Sequence, residues 1–218
     1  MKFINHIFAI IPVCMILVMS TTALANDPVG RVEQIRGDAQ RIGTDGQTAS
    51  LALGTVIHDG DTISTGDEAR VRIRFGDLSS LSMGGGGMMT IDEMVLPSSS
   101  SKGKQAMDLV EGVFEFISGN IAKADTRNVE ILTPAATIGI RGTQFIFGRL
   151  TVGMPEGTSH WGFQIYDGAI DVSSLGGTVT LDEPGEGTFL PIAKVAAPTP
   201  VRTWTKEEAS EAWGLLEF

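Results

Sequence analysis

The sequence predicts an all-β fold: a β-solenoid-like or sandwich-like stack of short strands with a short C-terminal helix. Three observations predict it. Glycine is abundant, 27 of 218 residues, and sits beside Asp or Thr at short, fairly regular intervals, which marks tight turns. Between the turns, apolar and polar residues alternate with the period of a half-buried strand. No strong amphipathic helical pattern interrupts these segments before residue 200.

The elements follow in order. Val29–Ile35 alternates and ends at Arg36-Gly37-Asp38. That tripeptide spells an adhesion motif, but Gly-Asp turns are frequent and this one joins two strands, so it is read as coincidence. Ser50–Ile57 reads as one short strand, and Asp59-Gly60-Asp61 turns the chain into Thr62-Ile63-Ser64. Thr65-Gly66-Asp67 turns it again into Ala69–Phe75, and Gly76-Asp77 opens a hairpin into Leu78–Met83. In Arg70-Val71-Arg72-Ile73-Arg74 the arginines alternate with apolar residues, the pattern of a strand with one solvated face; an anion-binding strip is the sharper reading. The run Gly84–Gly87 lacks the Gly-Lys-Ser/Thr ending of a phosphate-binding loop. Pro97–Gln105 reads as a solvated loop.

Asp108–Ser118 aligns with Gln164–Ser173 as strand, acidic-Gly turn, strand, at an offset of 56 residues. A further strand and a proline follow each copy, Val129–Pro134 and Val179–Pro184. Stacked repeats sharing one core are the logic of solenoids; two unrelated hairpins are the alternative.

The N-terminus sets the expected compartment. Lys2 precedes an apolar run, Ile7–Met19, and Ala23-Leu24-Ala25 follows as a cleavage site before Asn26. This reads as a secretory signal peptide over 1–25, cut after Ala25, and predicts a periplasmic or secreted protein without stable membrane insertion. The lone Cys14 lies inside it and lacks the small neighbour of a lipoprotein signal, so the mature chain is expected to hold no cysteine. Residues 26–195 then form the β-domain, 196–204 a Pro-rich linker and 205–218 the C-terminal helix. Lys2 is the one charged residue before Asn26, so the formal charge of −10 becomes −11 on cleavage. No basic stretch suited to neutralising phosphates accompanies it, which argues against a nucleic-acid partner.

Catalytic chemistry finds little support. His58 and His160 lack metal-ligand spacing, and no Gly-x-Ser-x-Gly elbow occurs. No catalytic residue, cofactor or metal is therefore assigned, and the chain is expected not to be an enzyme.

The block Val129–Phe145, together with Gly54–Phe75, resembles the FecR domain of bacterial envelope proteins. Gly54, Ile57, Gly60, Asp61, Ile63, Thr65 and Gly66 approximate that family's Gly-x-x-Ile-x-x-Gly-Asp-x-Ile-x-Thr-Gly pattern. Leu109–Gly112 with Phe114, then Thr133, Pro134, Arg141, Gly142, Thr143 and Phe145, match its later motifs. The match covers about Gly54–Phe147, with weaker similarity out to Leu190. It implies a sensing or binding module with an envelope protein partner in signalling, and gives the signature residues structural roles. A β-helical polysaccharide-binding or polysaccharide-cleaving protein is the alternative. The anti-sigma region and membrane helix of the iron-transport regulators are not expected here.

Physics adds expectations. Gly142 needs a positive φ or a close neighbour. Pro134 suits a corner between faces. Arg141, if buried, must be paired, with Asp61 or else Glu111. Thr205-Lys206-Glu207-Glu208 is a capping box for a helix that closes one open end of the domain. Trp204, Trp213, Leu216 and Phe218 around it are alternatively partner-binding anchors.

Overall fold

The computed structural model describes residues 27–191 and 196–218. The expected signal peptide and Cys14 lie outside those residues. Among the described residues there are eighteen strands. The first nine are β1 (Pro28–Arg36), β2 (Ala39–Ile42), β3 (Thr48–Ser50), β4 (Val56–His58), β5 (Thr62–Thr65), β6 (Arg70–Phe75), β7 (Ser80–Met83), β8 (Met88–Val95) and β9 (Lys104–Glu111). Then come β10 (Val113–Ile117), β11 (Val129–Leu132), β12 (Thr137–Ile140), β13 (Gln144–Leu150), β14 (His160–Asp167), β15 (Ile170–Ser174), β16 (Gly177–Leu181), β17 (Glu186–Pro191) and β18 (Arg202–Thr203). Two short helices, α1 (Asn120–Ala124) and α2 (Lys206–Gly214), complete the chain.

The strands form two nine-stranded sheets. The first runs β4-β1-β6-β7-β10-β13-β14-β17-β18 and the second β3-β2-β5-β8-β9-β11-β12-β15-β16. Both orders climb with the sequence, so the chain builds the two layers together from one end to the other. Paired neighbours are antiparallel except β9 and β11. The sandwich-like alternative of the sequence reading describes this arrangement.

Strand alternation explains the core between the sheets. In β6, Val71, Ile73 and Phe75 are buried while the arginines between them face outward. Phe114, Phe116, Phe145, Phe147 and Phe163 line the first sheet's inner face, opposite Ile63, Met89, Ile91, Met107, Leu109 and Ile131. Phe147 centres an aromatic cluster, with Phe163 at 4.9 Å and Trp161 at 5.2 Å between ring centroids.

The glycine turns do two jobs that look alike in sequence: some close hairpins, and others carry the chain from one sheet to the other. Gly112 and Gly168, the centres of the aligned segments, are both corners. The first passes from the second sheet to the first, and the second goes the opposite way, so neither copy is a hairpin. Gly168 has φ +77°, and a side chain there would fall on the Gly142 carbonyl, so two corners stack with no room for a Cβ. Gly142 itself has φ +67° with open space around it, so the positive φ is its reason for being glycine.

Three expectations need correction. Ser50–Ile57 is not one strand: β3 ends at Ser50 and β4 begins at Val56 in the other sheet. The crossing is held by backbone bonds from Gly54 N–H to Val32 O and from Val32 N–H to Thr55 O, each 2.9 Å. Thr133-Pro134 is not a corner between layers but a hairpin tip within the second sheet. The Thr133 hydroxyl donates to Ala136 O at 2.7 Å and accepts from Ala136 N–H at 2.9 Å, which reverses the chain in plane. Finally, the C-terminal helix does not close an open end. It packs on the outer face of the first sheet, against Val113, Ile146 and Leu150.

Candidate recognition surface

The signature residues hold the scaffold. Asp61 is buried; its carboxylate accepts from the His58 backbone at 2.7 Å and pairs with Arg41 at 3.2 Å. Gly60 has φ +78° and donates to Ile91 O at 3.0 Å. The Thr65 hydroxyl donates to Gly84 O at 2.6 Å and accepts from Gly87 N–H at 2.8 Å, pinning the glycine run that cannot order itself. Gly66 donates to Asp38 O at 2.8 Å, tying two corners together. Thr143 is buried, its N–H donating to the Ser118 hydroxyl at 2.8 Å, and Phe145 packs on Phe116 in the core.

Arg141 departs from expectation. It is 57% exposed and pairs with Asp171 of β15 at 2.5 Å, not with Asp61 or Glu111. It follows the end of β12 and is exposed, and Asp171 lies on the adjacent strand β15. Arg41 is the arginine that meets Asp61. The sequence reading missed it, because β2 and β5 become neighbours only through the sheet register.

Of the outer faces, the second sheet's is polar and acidic, with Asp92, Asp108, Glu130 and Asp171. Burial, then the charges of Asp108 and Glu130, raises the Asp92 carboxyl above its ordinary range. Among the described residues, no three His, Cys, Asp or Glu side chains converge to hold a metal ion.

The first sheet's outer face is largely covered by residues 196–218, which form a strap. At its start Thr199 bonds Phe189, and β18 pairs with β17. Trp204 then stacks on Phe189 (centroids 5.0 Å apart, 6° between planes) and lies flat over Gly162 and Gly187. Both glycines leave the space that its indole fills. The capping box forms at Thr205 and Glu208, and Glu208 pairs bidentately with Arg202 at 2.5 and 2.8 Å. Glu211 accepts from Thr151 N–H, the Thr151 hydroxyl and Val152 N–H at 2.6–2.9 Å. Leu216 is buried with Val113, Ile146 and Leu150; Trp213 is half-buried on Tyr166; Phe218 lies under Arg72. Trp204, Trp213 and Leu216 are therefore occupied within the chain.

Beside the strap the arginine strip is mostly spent internally. Arg72 donates to Gln34 and Ser82 at 2.9 Å and reaches the buried Glu115, which also accepts from Gln144. Arg74 faces Glu33.

What the strap leaves bare is a groove of about 600 Å³ where β1, the edge strand β4 and the β6–β7 turn meet. Pro28, Val56, Leu78 and Leu96 give it apolar walls, and Arg31 and Arg74 supply charge. Leu78 is 62% exposed and has φ +69°, alone among the described non-glycine residues in that region. For a leucine this conformation is strained. The buried Asp77 carboxylate enforces the turn, accepting from Ser79 N–H at 2.9 Å and from its hydroxyl at 2.5 Å, and reaching Ile121 N–H of α1 at 3.3 Å. Leu78 and Arg31 were not singled out by sequence reasoning, and Asp77 was read only as part of the turn. Leu78 reads as a strand start, yet the strand begins at Ser80.

The family model for the FecR protein matches residues 61–180, more than half of the chain. The chain belongs to the FecR family. The match starts one residue after Gly60, so β1 to β4 and the strap flank the FecR core while Arg74 and Leu78 lie inside it. No curated protein sequence matches the chain. Two crystal structures of a candidate anti-sigma factor from Parabacteroides distasonis ATCC 8503, at 2.50 and 1.65 Å, are similar to it at 12% identity and a TM-score of 0.50. The likeness covers 68% of this chain and 62% of theirs, and at that identity it shows the fold. A cell surface anchoring domain is 28% identical over 29% of this chain and 83% of its own length, with a TM-score of 0.28.

Proposed function

We propose that this FecR-family chain is an exported recognition module of the bacterial envelope, binding a protein partner in signalling and acting by binding rather than turnover. Family membership supports the signalling role, as does the fold it has in common with a candidate anti-sigma factor. The leader pattern at 1–25 supports export to the periplasm. One observation carries the assignment to a surface: a large apolar side chain, Leu78, is held strained and exposed by a buried carboxylate. Strain maintained by surrounding structure concentrates at functional sites, and a preformed groove binds at lower ordering cost.

A photo-crosslinking residue at position 78, introduced in living cells, tests this. A discrete protein adduct at 78, absent when the residue is placed at Leu175 (83% exposed, away from the groove), is the expected result. Adducts to glycan, or none at 78, would overturn it. Fractionation should recover the chain from the periplasm with Asn26 at its N-terminus.

A further inference from the structure

The proposed function leaves open what the partner presents to the groove. Its walls are apolar at Val56, Leu78 and Leu96, and it is about half open to solvent, which suits an extended segment better than an enclosed ligand. Its charge is positive. Arg31 is exposed and, like Arg36 and Arg70 of the same sheet, meets no carboxylate among the described residues, whereas Arg72, Arg74, Arg149 and Arg202 each face one; of the three, Arg31 alone lines the groove. Arg74 lines the same groove, and its ion pair with Glu33 is a long one, 3.4 Å, at the surface. In a chain of net charge −10, two guanidiniums at an apolar groove mark a place where an acidic segment is attracted while most of the surface repels it. Arg also offers the planar fork that pairs a carboxylate bidentately.

Resting on that functional reading, we infer that the groove takes an extended protein segment with alternating apolar and acidic side chains. Its apolar residues seat against Val56 and Leu78, and a carboxylate pairs with Arg31. The turn at Leu78 is already fixed by Asp77, so binding need not order it.

The test uses three fluorescein-labelled ten-residue peptides: alternating leucine and glutamate, alternating leucine and lysine, and alternating serine and glutamate. Fluorescence anisotropy with the exported chain should show the leucine–glutamate peptide binding at least about ten-fold more tightly than the other two, about 1.4 kcal/mol. Arg31→Glu and Leu78→Gly should each weaken it by a similar factor. Glycine is chosen because it adopts the native positive φ without strain, so the variant keeps its fold. Leu175→Ser should leave binding unchanged. Equal binding of the leucine–lysine peptide, insensitivity to Arg31→Glu or Leu78→Gly, or no binding of the leucine–glutamate peptide overturns the inference. If those occur while crosslinking at 78 still captures a protein, the recognition reading stands and only the acidic-apolar chemistry falls.

Discussion

Replacing Trp204 by Ala should release the strap while leaving the sandwich folded. Trp204 is 6% exposed, and a buried Trp covers about 150–250 Å². At about 25 cal/mol per Å² that corresponds to roughly 4–6 kcal/mol, close to the 3–5 kcal/mol typical of large aromatic truncations. The indole N–H is buried without a partner, so its removal returns about 1–3 kcal/mol. A net loss near 3 kcal/mol remains. It falls on the strap because Trp204, Phe189, Leu216 and Ala212 form a cluster separate from the main core. A free nine-residue helix is too short to persist, since isolated helices below about 12–15 residues are marginal. Hydrogen exchange read residue by residue should show α2 amides losing about a hundred-fold in protection, at roughly 1.4 kcal/mol per decade. Amides of β10 and β13 should stay protected. Unchanged exchange in α2 would refute the anchoring role, and equal loss across both sheets would refute the independence of the two clusters.

Other outcomes follow from the same geometry. Gly168→Ala should destabilise by about 2–4 kcal/mol, because strain and a backbone clash combine, whereas Gly142→Ala, with open space, should cost only about 1 kcal/mol; urea melts of both variants check the difference. Arg41→Ala leaves the buried Asp61 without its cation and should cost about 2–4 kcal/mol, against less than about 1 kcal/mol for the exposed Arg141→Ala. Acid should loosen the strap in two stages, followed by tryptophan fluorescence. Burial lowers the His160 pKa, opposed by Glu211 and Glu208 and aided by Arg202, so its neutral form stabilises docking above about pH 6.5, and that contribution is lost as pH falls through the lowered value. The Arg202 hydrogen bond holds the Glu208 carboxyl below its usual range, so its contribution persists above about pH 4.3 and is lost below, and Glu208→Gln should abolish this second stage. At the alkaline end, burial pushes the Tyr166 phenol up to about 12, so its contribution is complete below about pH 10 and lost as pH rises through 12.

Local features of this chain were legible in its sequence. The Thr205–Glu208 capping box needs only residues three apart, and it forms as read. The alternation of Arg70–Phe75 depends only on strand periodicity, and it too forms. What could not be read was register. A glycine with positive φ serves a hairpin or a sheet-crossing corner equally well, so Gly112 and Gly168 gave the right turns without their direction. The same ignorance hid the partners: Asp61 finds Arg41 and Arg141 finds Asp171 because their strands are neighbours, 20 and 30 residues apart in sequence. Leu78 was hidden for a different reason. Propensity argues against leucine at positive φ, and only the carboxylate of Asp77, folded against α1, makes the conformation hold.

That distinction separates the two apolar surfaces on the first sheet's outer side. Ile146, Leu150 and Phe189 are as apolar as the groove, but the strap covers them with side chains shaped to fit, including an indole seated where two glycines leave room. A covered patch of this kind contributes to stability and needs no partner. Val56 and Leu78 have no such cover, and a scaffold that keeps a leucine strained at the surface loses free energy unless that side chain meets something outside the fold. The strap therefore belongs to the architecture, and the groove is the surface proposed for recognition. Detaching the strap with Trp204→Ala should leave the leucine–glutamate peptide bound, because none of the groove's walls comes from residues 196–218. Loss of peptide binding in that variant would mean that the two surfaces act as one.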